Sequence, residues 1–335
     1  MTMYFSSMRG NAKASRALAR VMRAIESLPR GRYLLAVSGG RDSMVLLDAF
    51  SRSRHDHVTV ATFDHATGDA AERAVHHVAR VATRLGHDTV SGRRDHGGPA
   101  TEAAWRGARW SFLREQALQR GAAVVTAHTR DDQLETVVMR ALRDSRHTST
   151  RGLAAMYASV VGSRREDTVP VVRPLLDVAR ADVAAYAAIR RVDFVDDPTN
   201  ASRRHLRNRV RLDLLPALER VSPGFGRAML RLSRAAAIWR SRLDDVVEGL
   251  GVARSTPGAV VVAADELRRL GMAGWTLVWP ALAERAGVVL DRRGTERLVA
   301  FTGTARPGGK MPLSGGAGVE CTGRTFVLRT FVPTD

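Results

Sequence analysis

A single cysteine, Cys321, stands in the 335 residues. That excludes an internal disulfide framework and any zinc or redox site built on a C-x-x-C pair, and it fits a reducing cytosol. Lysine is nearly as scarce. Only Lys13 and Lys310 occur among the 52 basic residues, so arginine carries almost all of the formal charge of +18. No apolar run approaches the roughly 18 residues of a membrane-spanning helix, so no membrane partner is expected. No internal repeat or low-complexity segment is present, and neither is a G-x-x-x-x-G-K-[ST] or a G-x-G-x-x-G string. The length suits two or three domains with cores that need no covalent staples. The arginine bias is compatible with codon composition, yet a chain this positive attracts phosphate polymers whatever its cause. Charge alone leaves RNA and DNA both open.

What is present is organised around Leu34-Leu35-Ala36-Val37-Ser38-Gly39-Gly40-Arg41-Asp42-Ser43-Met44-Val45-Leu46-Leu47. An apolar run suited to a buried strand stops at Ser-Gly-Gly, and an apolar pattern at helical spacing follows. Strand, glycine turn and helix start in that order make an anion cradle. Glycine lets the backbone approach a phosphate, and the helix N-terminus offers N–H groups and partial positive charge. A plain glycine turn is the bland alternative.

The rest of the first half alternates strands and helices. Residues 58–63 read as a strand ending at Asp64-His65, 69–85 as a helix, and 87–92 as a short segment. A long helix follows over 99–120, and Ala122–Ala127 reads as a strand ending at His128. Such alternation predicts an α/β fold with a doubly wound parallel sheet. Ligands bind outside the carboxyl ends of such strands, which puts Ser38, Asp64 and His128 on one rim. The opening residues carry Arg9, Lys13, Arg16, Arg20 and Arg23 before any acid. A transit peptide has that look, but Leu18, Val21, Met22 and Ile25 favour an amphipathic helix belonging to the fold.

Ala127-His128-Thr129-Arg130-Asp131-Asp132-Gln133-Leu134-Glu135-Thr136 is the second rich stretch. Asp132 and Glu135 are three apart at a helix start, so they share a face. With Asp42 they suit Mg²⁺ against nucleotide phosphates. An N-cap with first-turn acids explains the same pattern. Further on, Arg207, Arg209 and Arg211 suit phosphate contacts, or else form a solvated helix face.

The hexapeptide Ser38–Ser43 resembles the S-G-G-x-D-S signature of the PP-loop ATP pyrophosphatases. Six further strings follow in order: E-A-A-W-R-x-A-R-W at 102–110, A-H-x-x-D-D-Q-x-E-T, G-L-x-x-M, R-P-L-L, D-D-P-T-N and R-N-x-V-R. Together, over about residues 32–216, they resemble the tRNA(Ile)-lysidine synthetases. The resemblance implies a cytoplasmic enzyme that uses ATP and Mg²⁺, with free L-lysine and a tRNA(Ile) bearing a CAU anticodon as partners. It leaves a homodimer open. It implies that lysine is ligated to carbon 2 of the wobble cytidine through an adenylated base, releasing pyrophosphate and AMP. It further implies an ATP site of Ser38, Gly39, Gly40, Arg41, Asp42 and Ser43, with Asp64, His65 and His128 lining it. Asp42 and Glu135 would hold Mg²⁺, Asp132 would handle lysine (or exchange roles with Glu135), and Arg106 would lie near the nucleotide or base. Arg151, Arg207, Arg209 and Arg211 would touch the RNA or substrate.

Under this reading 1–30 is an N-terminal helix and 31–216 the catalytic domain. Residues 217–300 form a helical substrate domain, and 301–335 a short β-rich tail with a hairpin over 315–329. Two departures stand out. The expected glycine-containing turn after the D-D-Q-x-E-T helix is replaced by Arg143-Asp144-Ser145-Arg146-His147-Thr148-Ser149, and Asp64-His65-Ala66-Thr67-Gly68 is looser than usual. The rivals are another PP-loop tRNA-modifying enzyme and a non-catalytic RNA-binding relative. A thiolase that uses paired cysteines is disfavoured by the lone Cys321.

Overall fold

The structure is a computed structural model. It describes residues 2–55, 57–66, 68–94, 101–143, 153–159, 169–196, 202–203, 205–252, 254–256 and 258–330. They fall into two compact units, one reaching residue 234 and the other running from 235.

The first unit begins with helix α1 (Thr2–Glu26), then β1 (Arg32–Ala36), α2 (Arg41–Ser51), β2 (His57–Asp64), α3 (Asp69–Arg84) and β3 (Asp88–Arg93). Next come α4 (Glu102–Arg120), β4 (Ala123–Val125), α5 (Arg130–Arg143), the short β5 (Val171–Val172) and α6 (Arg180–Arg190). The five strands are parallel in the order β3-β2-β1-β4-β5. Side chains alternate across β1, as a strand dictates. Tyr33 and Leu35 enter a core shared with α1, α2, α3 and α6, while Leu34 meets Leu113 and Ala117 of α4 on the opposite face. Burying each such leucine contributes about 1.5–3 kcal/mol, and a charge at Leu35 would break the layer. The apolar stripe of α1 includes Val21 and Ile25, both fully buried, so this helix is an integral part of the first core.

Local signals explain the element ends. The Thr101 side chain caps α4 by accepting from the Ala104 N–H at 3.2 Å, and Gly121 closes the helix in the left-handed region. The segment expected over 87–92 is the edge strand β3. The successor of β1 in the chain runs outward to β2 and β3, whereas β4 and β5 lie on its other side. The order therefore reverses between β1 and β4, and a crevice opens at such a point beyond the carboxyl ends of the strands. The turns leading to α2 and α5 flank that crevice.

The chain then forms α7 (Leu206–Arg209), a π-helical turn at Val210–Leu214, α8 (Leu215–Val221) and α9 (Phe225–Gly249). The second unit continues with β6 (Arg254–Thr256), β7 (Ala259–Ala263), α10 (Ala264–Arg269), α11 (Gly271–Arg285) and α12 (Arg292–Thr304). It ends with β8 (Lys310–Leu313), β9 (Ala317–Cys321) and β10 (Thr325–Thr330). Its antiparallel sheet has the order β6-β7-β10-β9-β8. This differs from a division at 216/217 and 300/301. The break falls inside α9, and the terminal hairpin β9–β10 pairs through β10 with β7, so the tail shares a sheet with earlier residues. The pairing follows from apolar alternation: Phe326 and Leu328 of β10 and Val260 and Val262 of β7 all point into one core, which also buries Cys321.

Candidate active site

At the carboxyl end of β1, Gly39 has φ 86°, a conformation that favours glycine. A Cβ there would also meet the Ala74 Cβ at 3.2 Å. Gly40 is the N-cap of α2 and supplies no side chain, so nothing blocks the free N–H groups at the helix start. Ser43 ties the turn together: its hydroxyl donates to the Gly40 carbonyl at 2.8 Å and accepts from the Ser38 N–H at 3.2 Å. The result is an anion cradle with its first acid, Asp42, on the first turn of α2.

Asp42 Oδ1 accepts from Arg41 Nε at 3.1 Å, and its Oδ2 lies 3.8 Å from Arg180 Nε. Burial pushes its carboxyl above the ordinary value, against the pull of Arg41 and Arg180. Its side chain stays 26% exposed, which leaves room for a further ligand.

Across the crevice, α5 is started by a capping box. Asp132 Oδ2 accepts from both the N–H and the hydroxyl of Thr129, each at 2.7 Å. Its other oxygen, Oδ1, accepts from Arg180 Nη2 at 2.7 Å and Arg207 Nη2 at 2.8 Å. One carboxylate thus caps the helix with one oxygen and faces the site with the other, so the two readings of this residue coexist. Glu135, one turn on and 1% exposed, is enclosed by three guanidinium groups. Its Oε1 accepts from Arg180 Nη1 at 2.9 Å and Arg211 Nε at 2.7 Å; its Oε2 accepts from Arg207 Nε at 2.7 Å and Arg211 Nη2 at 3.3 Å. Burial opposes ionisation of both acids. The arginines, and at Asp132 the Thr129 hydrogen bonds, outweigh it and hold both carboxyls below their ordinary values.

Two acids expected to act with Asp42 are therefore present on one face, but bridged to it by a cation. Glu135 has its four acceptor positions filled by N–H donors, which does not suit an inner ligand of Mg²⁺. Asp42, with phosphate oxygens and water, does suit that ion. Among the described residues no cluster of three or more histidine, cysteine or acidic side chains is poised for a metal.

The other expected residues fall as follows. His128, past β4, shares a hydrogen bond with the Thr126 hydroxyl through Nδ1 at 2.8 Å. Burial, with help from Arg173, Arg207 and Arg106, pushes its pKa down to about 4, so it is neutral at pH 7. Asp64 is buried and spends Oδ1 on the Ala66 N–H at 2.8 Å, which stabilises the left-handed Ala66. It shapes the turn after β2. His65 packs edge-on against Phe63, and burial lowers its pKa. Arg106 is exposed on α4, and its charge is felt at His128, Arg109, Arg140 and Arg173, which places it on the same rim. Arg207 and Arg211 join the acids, whereas Arg209, on the other side of the helical turn, is exposed. Arg151, the 144–152 stretch and most of the D-D-P-T-N string lie outside the described residues.

Two residues have roles that no local sequence signal assigns. Arg180 follows R-P-L-L at the first position of α6, with no side-chain cap before it. A cation there opposes the helix dipole, a local oddity that signals a partner elsewhere. Gln133 is fully buried: its amide donates to the Ala154 carbonyl at 2.9 Å and the Ser233 hydroxyl at 2.8 Å, and accepts from the Met156 N–H at 2.9 Å. It anchors α5 to its neighbours and leaves Asp132 and Glu135 facing the crevice.

A PP-loop domain model matches residues 13–218 of the chain. The tRNA(Ile)-lysidine synthase of Bradyrhizobium diazoefficiens is 36% identical over 244 residues, which cover 70% of this chain and 64% of that protein. The chain thus spans less than two thirds of that relative's length. The tRNA(Ile)-lysidine synthase of Parasynechococcus marenigrum is 30% identical over 310 residues, 90% of this chain and 89% of that protein. Among solved structures, the U34-tRNA thiolase NcsA from Methanococcus maripaludis superimposes with a TM-score of 0.53 at 15% identity, covering 68% of this chain and 80% of that one. Identity that low speaks for the fold alone, and the fold it supports is the parallel α/β sheet that carries the glycine cradle. The domain match covers more than half of the chain, and the Parasynechococcus relative aligns over most of both lengths; the chain belongs to the tRNA(Ile)-lysidine synthase family of PP-loop proteins.

Proposed function

We propose that this protein ligates free L-lysine to carbon 2 of the wobble cytidine in a tRNA(Ile) with a CAU anticodon, consuming ATP. The observation that carries the reading is the pairing, at one switch point, of a glycine anion cradle with a buried carboxylate pair that faces it. The relatives' names support the substrate class.

In the first step the cytidine carbonyl oxygen attacks the α-phosphorus and pyrophosphate leaves. The cradle N–H groups of residues 39–42 and the α2 dipole hold the phosphates and meet the charge that develops on them. Mg²⁺, held by Asp42 together with phosphate oxygens, would neutralise charge on the leaving group. In the second step the ε-nitrogen of lysine bonds to carbon 2, and the carbon–oxygen bond to AMP breaks. Asp132 attracts the ammonium by its charge. Its own acceptor positions are occupied by Thr129, Arg180 and Arg207, so it orients the amine once Arg207, the more exposed of the two arginines, turns to an anionic group of the substrate. A carboxyl held below its ordinary value is a weak proton acceptor, so proton loss falls to solvent or to the departing phosphate. Arg207 and Arg211, 35% and 28% exposed, present the outer side of the cage to an anionic group of lysine or RNA.

The test supplies purified protein with an unmodified CAU-anticodon tRNA, Mg-ATP and radiolabelled lysine. RNA labelling that needs ATP and the wobble cytidine, with stoichiometric AMP and loss in Asp42→Asn, is expected. AMP release without labelled RNA would redirect the search to another acceptor. Binding of tRNA with no ATP turnover would favour the non-catalytic relative.

A further inference from the structure

Arg180 stands apart from the other two arginines of the cage because both its main chain and its side chain are anchored. Its N–H donates to Asp131 Oδ2 at 2.8 Å, and beside that bond the Arg130 N–H donates to the Val178 carbonyl at 2.9 Å. The first turns of α5 and α6 are thereby locked together. From that fixed base the guanidinium spans Asp132 at 2.7 Å, Glu135 at 2.9 Å and the Asp42 carboxylate at 3.8 Å. It is 18% exposed, the least of the three arginines. Arg207 and Arg211 approach the same acids from α7 and the π-helical turn.

We propose that Arg180 is a positioning residue: it fixes the acid pair of α5 at a set distance from the acid of the ATP loop, so that the nucleophile held by one is aligned with the adenylate held by the other. A guanidinium is suited to this because its planar fork donates in several directions at once, whereas an ammonium is a point charge. Misplacement of the acids by about 1 Å costs on the order of 100-fold in rate. The inference rests on the ligation reading for its assay, but the geometry it concerns exists whichever nucleophile the acids serve. The groups facing Asp132 and Glu135 besides Arg180 are Arg207, Arg211, Thr129 and, more distantly, Asp42 and His128.

The experiment compares wild type, Arg180→Ala and Arg180→Lys as full chains in the lysine-labelling assay. For Arg180→Ala we expect kcat to fall about 30-fold or more with KM for ATP within about threefold, and methylguanidinium chloride to restore part of the rate. Arg180→Lys keeps the charge but not the fork, so its kcat stays low while Tm stays within about 3 °C of wild type. Wild-type kcat in Arg180→Lys, or a rise in KM for ATP as large as the fall in kcat, overturns the proposal. If Arg180→Ala does not fold, the Arg180→Lys result decides. Wild type that labels no RNA condemns the ligation reading alone. Arg180 is then judged by acid unfolding: Arg180→Lys must lose stability at higher pH than wild type, because its acids are less well held in the ionised form, and an unchanged profile overturns the claim.

Discussion

In the first unit a glutamate with 1% of its side chain exposed is met by three guanidinium groups, whereas in the second unit the buried polar side chains among the described residues include two threonines and no charged group. Thr302 accepts from the Trp279 indole N–H at 2.7 Å and donates to the Leu298 carbonyl at 2.7 Å; Thr295 donates to the Asp291 carbonyl at 2.9 Å. The two threonine-to-carbonyl bonds close within one helical turn, and the indole bond ties α11 to α12 across an apolar core. They satisfy donors that burial would otherwise strand, and nothing is left over for a ligand. The cage in the first unit is different in kind. Taking charges out of water is costly, and an apolar filling of the same volume is often as stable or more so. A buried cluster of opposite charges beside a phosphate cradle is therefore better explained by chemistry than by stability.

Removing one partner from each unit separates the two kinds of contact most clearly. Glu135→Ala leaves three guanidinium groups to share Asp132 alone, and we expect a loss of about 3–5 kcal/mol in denaturant unfolding of the first unit, with ligation abolished. Thr302→Val strands only the Trp279 N–H, so it should cost about 1–3 kcal/mol and leave kcat unchanged. If the two losses were equal, the distinction between a functional cage and a structural bond would fail.

The buried groups of the first unit also make its stability depend on pH. His128 titrates near 4 in the folded protein against 6.5 when free, so the unfolded chain binds a proton that the folded one refuses between those values. Above 6.5 this has no effect; as pH falls toward 4 the penalty grows. The stabilisation from Asp132 and Glu135 is complete above ordinary carboxylate values and is lost as pH falls through their lowered folded values. His128→Gln should flatten the upper part of the acid limb and leave the lower part, as read from Tm against pH. The smallest effect belongs to the surface of the second unit. Arg329 pairs across strands with Glu320 at 2.7 Å but is 47% exposed, and Arg329→Ala should change stability by less than about 1 kcal/mol.

Much of this was legible in the chain itself. The apolar run ending at Ser38-Gly39-Gly40 implied a strand–turn–helix cradle, and the alternation through residue 127 implied the parallel sheet, because both signals are local in sequence. Placing Ser38, Asp64 and His128 on one rim needed only the rule that such sheets bind ligands at their strand ends. The roles within the rim were less legible. Asp64 and the capping oxygen of Asp132 turned out to serve the backbone, and either role is consistent with the same letters.

The cradle, the class of fold and the family follow from local signals, since periodicity, glycine placement and ordered motifs are properties of neighbouring residues. Which charges meet follows from packing between distant elements. Arg180, Arg207 and Arg211 lie 45, 72 and 76 residues from Glu135, and only the packing of α6, α7 and the π-helical turn against α5 brings them onto one carboxylate. Packing also pairs β10 with β7 across more than sixty residues of chain. Such meetings depend on the closure of long loops and the burial of distant faces, and no local pattern of residues encodes a distance in space.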